Sequence, residues 1–150
     1  MAEAPTYEGP WKDDIKMHGK GKLTWPSGTV YEGEFFEHSM QGKGEMRYKS
    51  GAIYSGDWKA NMKQGKGTFT FSNGNRYDGD WHLDLMHGKG ELKLANGDVY
   101  TGQFDEGLRE GKGKTVFKSG ATYEGQYLDD KMHGTGVFTW PDKTKYKGEF

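Results

Sequence analysis

Apolar and polar residues alternate along this chain with a period of two, in short runs that return at a fixed distance. In "YSGDW" (Tyr54 to Trp58) Tyr, Gly and Trp fall on one side and Ser and Asp on the other. In "GKGTFTF" (Gly65 to Phe71) two glycines and two phenylalanines alternate with Lys and Thr. Such alternation marks half-buried strands, and no stretch carries the 3.6-residue period of a helix. Tyr recurs at 7, 31, 54, 77, 100, 123 and 146, with Gly two residues later and an aromatic two further on: Trp11, Phe35, Trp58, Trp81, Phe104, Tyr127 and Phe150. A second run follows in each unit, with glycines at 19, 42, 65, 88, 111 and 134 and again two residues on.

A repeat of about 23 residues made of two strands is one hairpin, and successive hairpins pair most simply into a continuous meander. The sequence therefore predicts an all-β fold: an elongated, single-layer antiparallel meander of repeated hairpins, twisted or curved, with an aromatic and glycine groove. Residues 1–6 form a leader, and residues 7–150 form six full repeats and a half. Thirteen strands at ~4.8 Å give a rod roughly 60 Å long. Turns such as "KSGAI" and "SNGNR" hold Gly where positive φ is needed, and Lys143 in "PDKTK" predicts a strained or differently shaped turn. At the other end of each hairpin, His38, Asn61, Asp84, Gly107 and Asp130 suit one left-handed residue, and the first unit has one residue more. Simple hairpin register sets Trp58 opposite Gly65, Gly56 opposite Gly67 and Tyr54 opposite Phe69.

Composition sharpens the picture of the core. Leu, Ile, Val and Phe make up only 14% of the chain, whereas there are 22 aromatics and 25 glycines. Rings lying over glycines must then take the place of aliphatic packing. The net charge is −1 because acidic first strands alternate with basic second strands. In simple register Glu34 faces Lys43, Asp57 faces Lys66 and Asp80 faces Lys89. No contiguous basic stripe remains for nucleic acid, and the same lack weakens a membrane reading.

Candidate chemistry is sparse. There is no cysteine, no apolar leader and no membrane span, which reads as a soluble cytoplasmic protein. The histidines of "HGKG" and "HGTG" (His18, His87, His133) lie whole repeats apart and support turns rather than a metal. "GKGKT" (Gly111 to Thr115) lacks the glycine and the helix of a phosphate loop. Asp129 and Asp130 sit in a loop, no nucleophile motif occurs, and the expectation is no catalytic site, no metal and no cofactor. What the pattern does offer is an aromatic groove, assigned to Trp11, Tyr31, Tyr54, Trp58, Phe69, Tyr77, Trp81, Tyr100 and Phe104. Met40 and Met86 belong to a row of methionines two residues before the glycines of the second strand. Rings that a single layer leaves uncovered mark a binding site for a peptide or helix of a partner protein.

Units such as "YTGQFDEGLREGKGKTVFKSGAT" (Tyr100 to Thr122) and "YEGQYLDDKMHGTGVFTWPDKTK" (Tyr123 to Lys145) resemble MORN repeats, over nearly the whole chain. The departures are the extra residue in the first unit, Lys143 for a turn glycine, and Gln41, Gln64 and Glu110 where the family often has His. The resemblance implies a non-enzymatic binding or assembly module, a scaffold or adaptor in a cytoskeletal, ciliary or flagellar setting. A membrane or phosphoinositide tether and a regulatory segment of a longer enzyme are the alternatives. Self-association through the edge strands is a further expectation, because unpaired edges invite pairing.

Overall fold

The structure is a computed structural model that describes residues 4–150; residues 1–3 of the leader lie outside the described part. The strands are β1 (Thr6–Glu8), β2 (Trp11–Lys12), β3 (Lys16–Met17), β4 (Gly19–Thr24), β5 (Val30–Phe36), β6 (Ser39–Arg47), β7 (Ile53–Lys59) and β8 (Met62–Thr70). They continue with β9 (Arg76–His82), β10 (Leu85–Lys93), β11 (Val99–Asp105), β12 (Leu108–Val116), β13 (Thr122–Leu128), β14 (Lys131–Thr139) and β15 (Lys145–Glu149). Thirteen of them form one antiparallel sheet in the order β1-β4-β5 and then consecutively to β15; β2 and β3 pair as a small separate ribbon. The expected all-β meander of hairpins is the fold.

Two kinds of turn alternate. Between a second strand and the next first strand, Phe71 N–H donates to the Asn75 carbonyl (2.8 Å) and Gly74 N–H to the Phe71 carbonyl (3.0 Å). Glycine at this place has φ between 95° and 101° in five turns, and Lys143 has φ 77°. Lys143 keeps the same bonds, to Trp140 at 2.9 Å, so the turn retains its shape and the backbone carries the strain.

The hairpin tips differ from expectation. Not one but two successive residues have positive φ, as in Ala60 (49°) and Asn61 (67°) or Leu83 (48°) and Asp84 (69°). This is the mirror-image two-residue turn, whose twist matches the strands it joins. It shifts the hairpin, and a bulge restores the register. Tyr54 faces Phe69 and Gly56 faces Gly67 as expected, but Trp58 faces Lys63 within its own hairpin. Its glycine partner is Gly42 of the preceding unit. Gly65, at φ 91°, takes up the bulge.

The bulge also rearranges the charges. Lys43 makes its ion pair with Asp57, and Lys66 with Asp80, each reaching the first strand of the following unit. The residues expected to pair do meet, but through the backbone. Asp57 Oδ2 accepts the N–H of Lys66 (3.1 Å), Asp80 Oδ2 that of Lys89 (3.1 Å), and Glu34 Oε2 that of Lys43 (2.6 Å). Each carboxylate thus satisfies an N–H that the bulge takes out of the ladder. Exposed ion pairs contribute about 0–1 kcal/mol each, so the capped N–H groups matter more to register than the lysines do.

The core is a line of rings on one face. Tyr31, Tyr54, Tyr77, Tyr100 and Tyr123 are the largest fully buried side chains. Each lies over the second glycine of its own hairpin: Tyr54 over Gly67, Tyr77 over Gly90. Tyr146, whose strand β15 is paired on one side alone, with β14, is exposed. The hydroxyl of each tyrosine donates to the carbonyl three residues on, Tyr54 to Asp57 at 2.8 Å and Tyr77 to Asp80 at 2.6 Å. Trp58 stands edge-on between Tyr31 (5.3 Å) and Tyr54 (5.1 Å), and Trp81 between Tyr54 (5.3 Å) and Tyr77 (5.2 Å). The zigzag runs on to Tyr123 and Phe150. Edge-to-face pairs add about 0.5–1.5 kcal/mol each beyond the area they bury.

Candidate functional site: the aromatic trough

The first-strand tyrosines from Tyr31 to Tyr123 lie below the surface, because each fills the space above a glycine. Of the groove residues expected from sequence, Tyr31, Tyr54, Trp58, Tyr77, Trp81, Tyr100, Phe104 and Met40 are buried and form the floor. Trp11 is exposed at one end, and Phe69 and Met86 are partly exposed along the side. Burial pushes the Tyr31, Tyr54 and Tyr77 phenols well above their ordinary value and Tyr100 up to about 12. The indoles are held as well: Trp58 Nε1–H donates to the Gly44 carbonyl and Trp81 Nε1–H to that of Gly67, both at 3.0 Å.

The accessible surface belongs to the second strands. Trp25, Tyr48, Phe71, Leu94 and Phe117 are partly buried and Trp140 is exposed, one from each hairpin, all on the inner side. They lean on the apolar residue two before them: Phe69 on Phe71 at 4.6 Å, Phe138 on Trp140 at 4.8 Å. Neighbouring hairpins touch through Tyr48 and Phe69 (5.8 Å) and through Phe117 and Phe138 (5.8 Å). The row was legible in the sequence as the last aromatic or Leu of each second strand. Sequence alone does not separate it from the floor, because both rows are rich in aromatics at the same period.

Two cations interrupt the methionine row. Lys63 lies within 6.0 Å of five ring centres, nearest Trp81 at 5.5 Å, and its Nζ reaches the Tyr48 hydroxyl at 3.3 Å and Asp84 at 3.5 Å. Arg109 lies over Tyr127 (5.3 Å) and Tyr100 (5.6 Å), with Nε 3.1 Å from Asp130 Oδ1. Their stems cover apolar rings while their charges meet an aspartate of the next hairpin tip. Beside Arg109 is an open pocket of about 540 Å³ lined by Leu92, Leu94, Tyr100, Phe117 and Met132. Thr115 replaces an apolar side chain here, and its hydroxyl is matched by that of Tyr127.

Of the three histidines expected to support turns, His18 does so, whereas His87 and His133 lie in β10 and β14. His18 Nδ1 accepts the N–H of Glu37 (3.3 Å), as Gln41 Oε1 accepts that of Ala60 (3.1 Å) and Gln64 Oε1 that of Leu83 (3.0 Å). Among the described residues no three His, Cys, Asp or Glu side chains gather as metal ligands. The trough presents ring faces, methionine and two partly screened cations.

A family model described as MORN repeat matches residues 7–30, 31–53, 54–76, 77–99, 100–122 and 123–145. No curated protein matches the chain. Among solved structures it is similar to the TCP domain of SAS-4 (dCPAP) from Drosophila melanogaster, in complex with a proline-rich motif of Ana2 (dSTIL). The identity is 11% and the TM-score 0.49, over 100% of this chain and 97% of that one. It is also similar to the TCP10 domain of Danio rerio CPAP in complex with a STIL peptide, at 9% identity and TM-score 0.46, over 87% of this chain and 64% of that one.

Proposed function

The chain belongs to the MORN-repeat family, and from that premise we propose that it is a non-enzymatic interaction scaffold whose aromatic trough takes up a helix or extended segment of a partner protein. The observation that carries this reading is the second-strand row. One partly exposed ring or Leu per hairpin stands on the same face as the filled floor, and among the described residues no second layer covers it. Core packing accounts for the first-strand tyrosines and tryptophans of the floor but leaves this row partly exposed, and an apolar row left open in this way normally marks an interface. Resemblance to family members of cilia, flagella and cytoskeletons supports a setting in such an assembly.

The test is site-specific photo-crosslinking in an extract of ciliated or flagellated cells. A photoreactive residue at Phe71 should trap a discrete protein, whereas one at Thr68, on the outer face of the same strand, should not. The Phe71→Ala/Phe117→Ala variant, checked for native circular dichroism, should lose that protein. Equal trapping from both positions, or capture of lipid in place of protein, would overturn the reading.

A further inference from the structure

The hairpin tips of the last three full repeats carry a second apolar surface that the trough does not use. Four of the seven leucines lie there: Leu83 is 52% exposed, Leu85 45%, Leu108 38% and Leu128 41%. Leu85 pairs with His82, Leu108 with Asp105 and Leu128 with Lys131, each on the last rung before its tip. The next rung inward, Met86 with Trp81, belongs to the trough side, so by strand alternation these leucines point to the opposite face. Leu83 is the most telling. It occupies the first residue of the tip turn at φ 48°, where other tips hold Glu37, Ala60, Glu106 and Asp129. A leucine there gains neither conformational ease nor burial, so folding gives no reason for it.

Charge says what would cover this strip. In the tip segments 82–86, 105–109 and 128–132 there are five carboxylates; Asp84 and Asp130 are paired with Lys63 and Arg109, which leaves Asp105 (3.5 Å from His87), Glu106 and Asp129 against one cation, Lys131. Arg109 is turned into the trough over Tyr100 and Tyr127. We propose that these three tips form a docking strip for a basic amphipathic helix of a partner protein, separate from the aromatic trough. Leu85 and Leu108 are equivalent residues one hairpin, or about 10 Å, apart, and apolar residues seven apart on a helix repeat at about 10.5 Å. A helix with Leu, Ile or Phe at that spacing, flanked by Lys or Arg, would set its apolar stripe on the leucines and its cations against the tip carboxylates.

A fluorescein-labelled 18-residue peptide of Leu and Lys, with Leu at helical spacing, is the probe, titrated with the whole chain and read by anisotropy. Binding should weaken as salt is raised. It should fall about tenfold or more in Leu85→Ser/Leu108→Ser, and likewise in Glu106→Asn/Asp129→Asn, whose asparagines suit positive φ. The trough variant Phe71→Ala/Phe117→Ala should bind as the wild type does. Melting curves and circular dichroism establish that every variant is folded. The proposal is overturned if the peptide does not bind, if a scrambled or a Leu/Glu peptide binds as well, or if the leucine variants are unaffected. Loss in the trough variant alone would place the helix in the trough and likewise refute it.

Discussion

Replacing Gly90 by Ala tests the idea that rings on glycine make the core. The backbone of Gly90 is not in the positive-φ region, so conformation alone would favour alanine by about 0.4–1 kcal/mol through the unfolded state. The structure reverses the sign. A Cβ at Gly90 would stand 2.5 Å from the Tyr77 hydroxyl oxygen and 2.6 Å from Cζ, and it would touch Cε2 as well. The ring must rise by roughly 1 Å to reach ordinary contact, with overpacking costing about 1–3 kcal/mol. Rising also draws the hydroxyl from the Asp80 carbonyl, 2.6 Å away, and a buried polar group left without its partner adds about 1–3 kcal/mol. The expected loss is about 2–5 kcal/mol, measured by urea denaturation followed through both tryptophan fluorescence and far-UV circular dichroism. Gly51→Ala is the control: nothing lies within 4 Å of its Cβ and φ is 96°, so it should lose only about 1–2 kcal/mol from backbone strain. In a Tyr77→Leu background the Gly90→Ala penalty should largely vanish, a coupling of at least about 2 kcal/mol. An unchanged penalty in that background, or a Gly90→Ala protein as stable as the wild type, would refute the packing argument.

Three further outcomes follow. Lys143→Gly should stabilise the last turn by about 0.5–1.5 kcal/mol, because the φ of 77° ceases to cost while both turn hydrogen bonds remain; a melting temperature that falls would contradict this. For pH, the buried phenols have raised pKa values, so the neutral form is favoured by folding. Their contribution is complete below about pH 10 and is lost as pH rises toward about 12, the value for Tyr100. Unfolding and tyrosinate absorbance should therefore rise together at alkaline pH. At the acid end burial raises the Asp57 and Asp80 pKa values, but bonds from Lys43 and Lys66 side chains and from the Lys66 and Lys89 N–H groups outweigh it and hold them below the ordinary carboxylate range. That stabilisation is present above about pH 4 and fades as pH falls through the lowered values. A stability profile flat from pH 2 to 5 would show that these carboxylates do not cap the bulges.

Period and alternation were enough to place the strands, because Tyr54, Gly56 and Trp58 must share a face wherever their partners lie. The tyrosine stacked over the second glycine was equally legible, since only glycine leaves room for a ring lying flat. The bulge was not. A hairpin counted from Tyr54 and Phe69 turns around Asn61 and Met62, whereas the chain turns at Ala60 and Asn61, one residue earlier. The clue was Gly65: a ring partner explains a glycine, but so does a backbone bent to positive φ, and sequence does not separate the two. From that one slip followed both the misplaced partner of Trp58 and the lysine pairs drawn one unit too early. The division of the rings into floor and open row was blurred for a related reason. Core rings and accessible rings have the same composition and period, and only packing over glycine distinguishes Tyr77 from Phe71.

The side-chain brackets between hairpins run both ways. Asn61 Oδ1 accepts the N–H of Met40 in the repeat before it (2.8 Å), while Gln41 of that earlier repeat accepts the N–H of Ala60 (3.1 Å). Trp58 reaches back to the carbonyl of Gly44. These links span 21, 19 and 14 residues, all less than one repeat, so each joins a hairpin to its immediate neighbour, as in other repeat architectures. Adding or removing one whole repeat would leave every class of contact in place and change the span between the ends by about 10 Å. The architecture is a ruler graduated in hairpins, on which the distance between two points of the sheet is set by counting repeats.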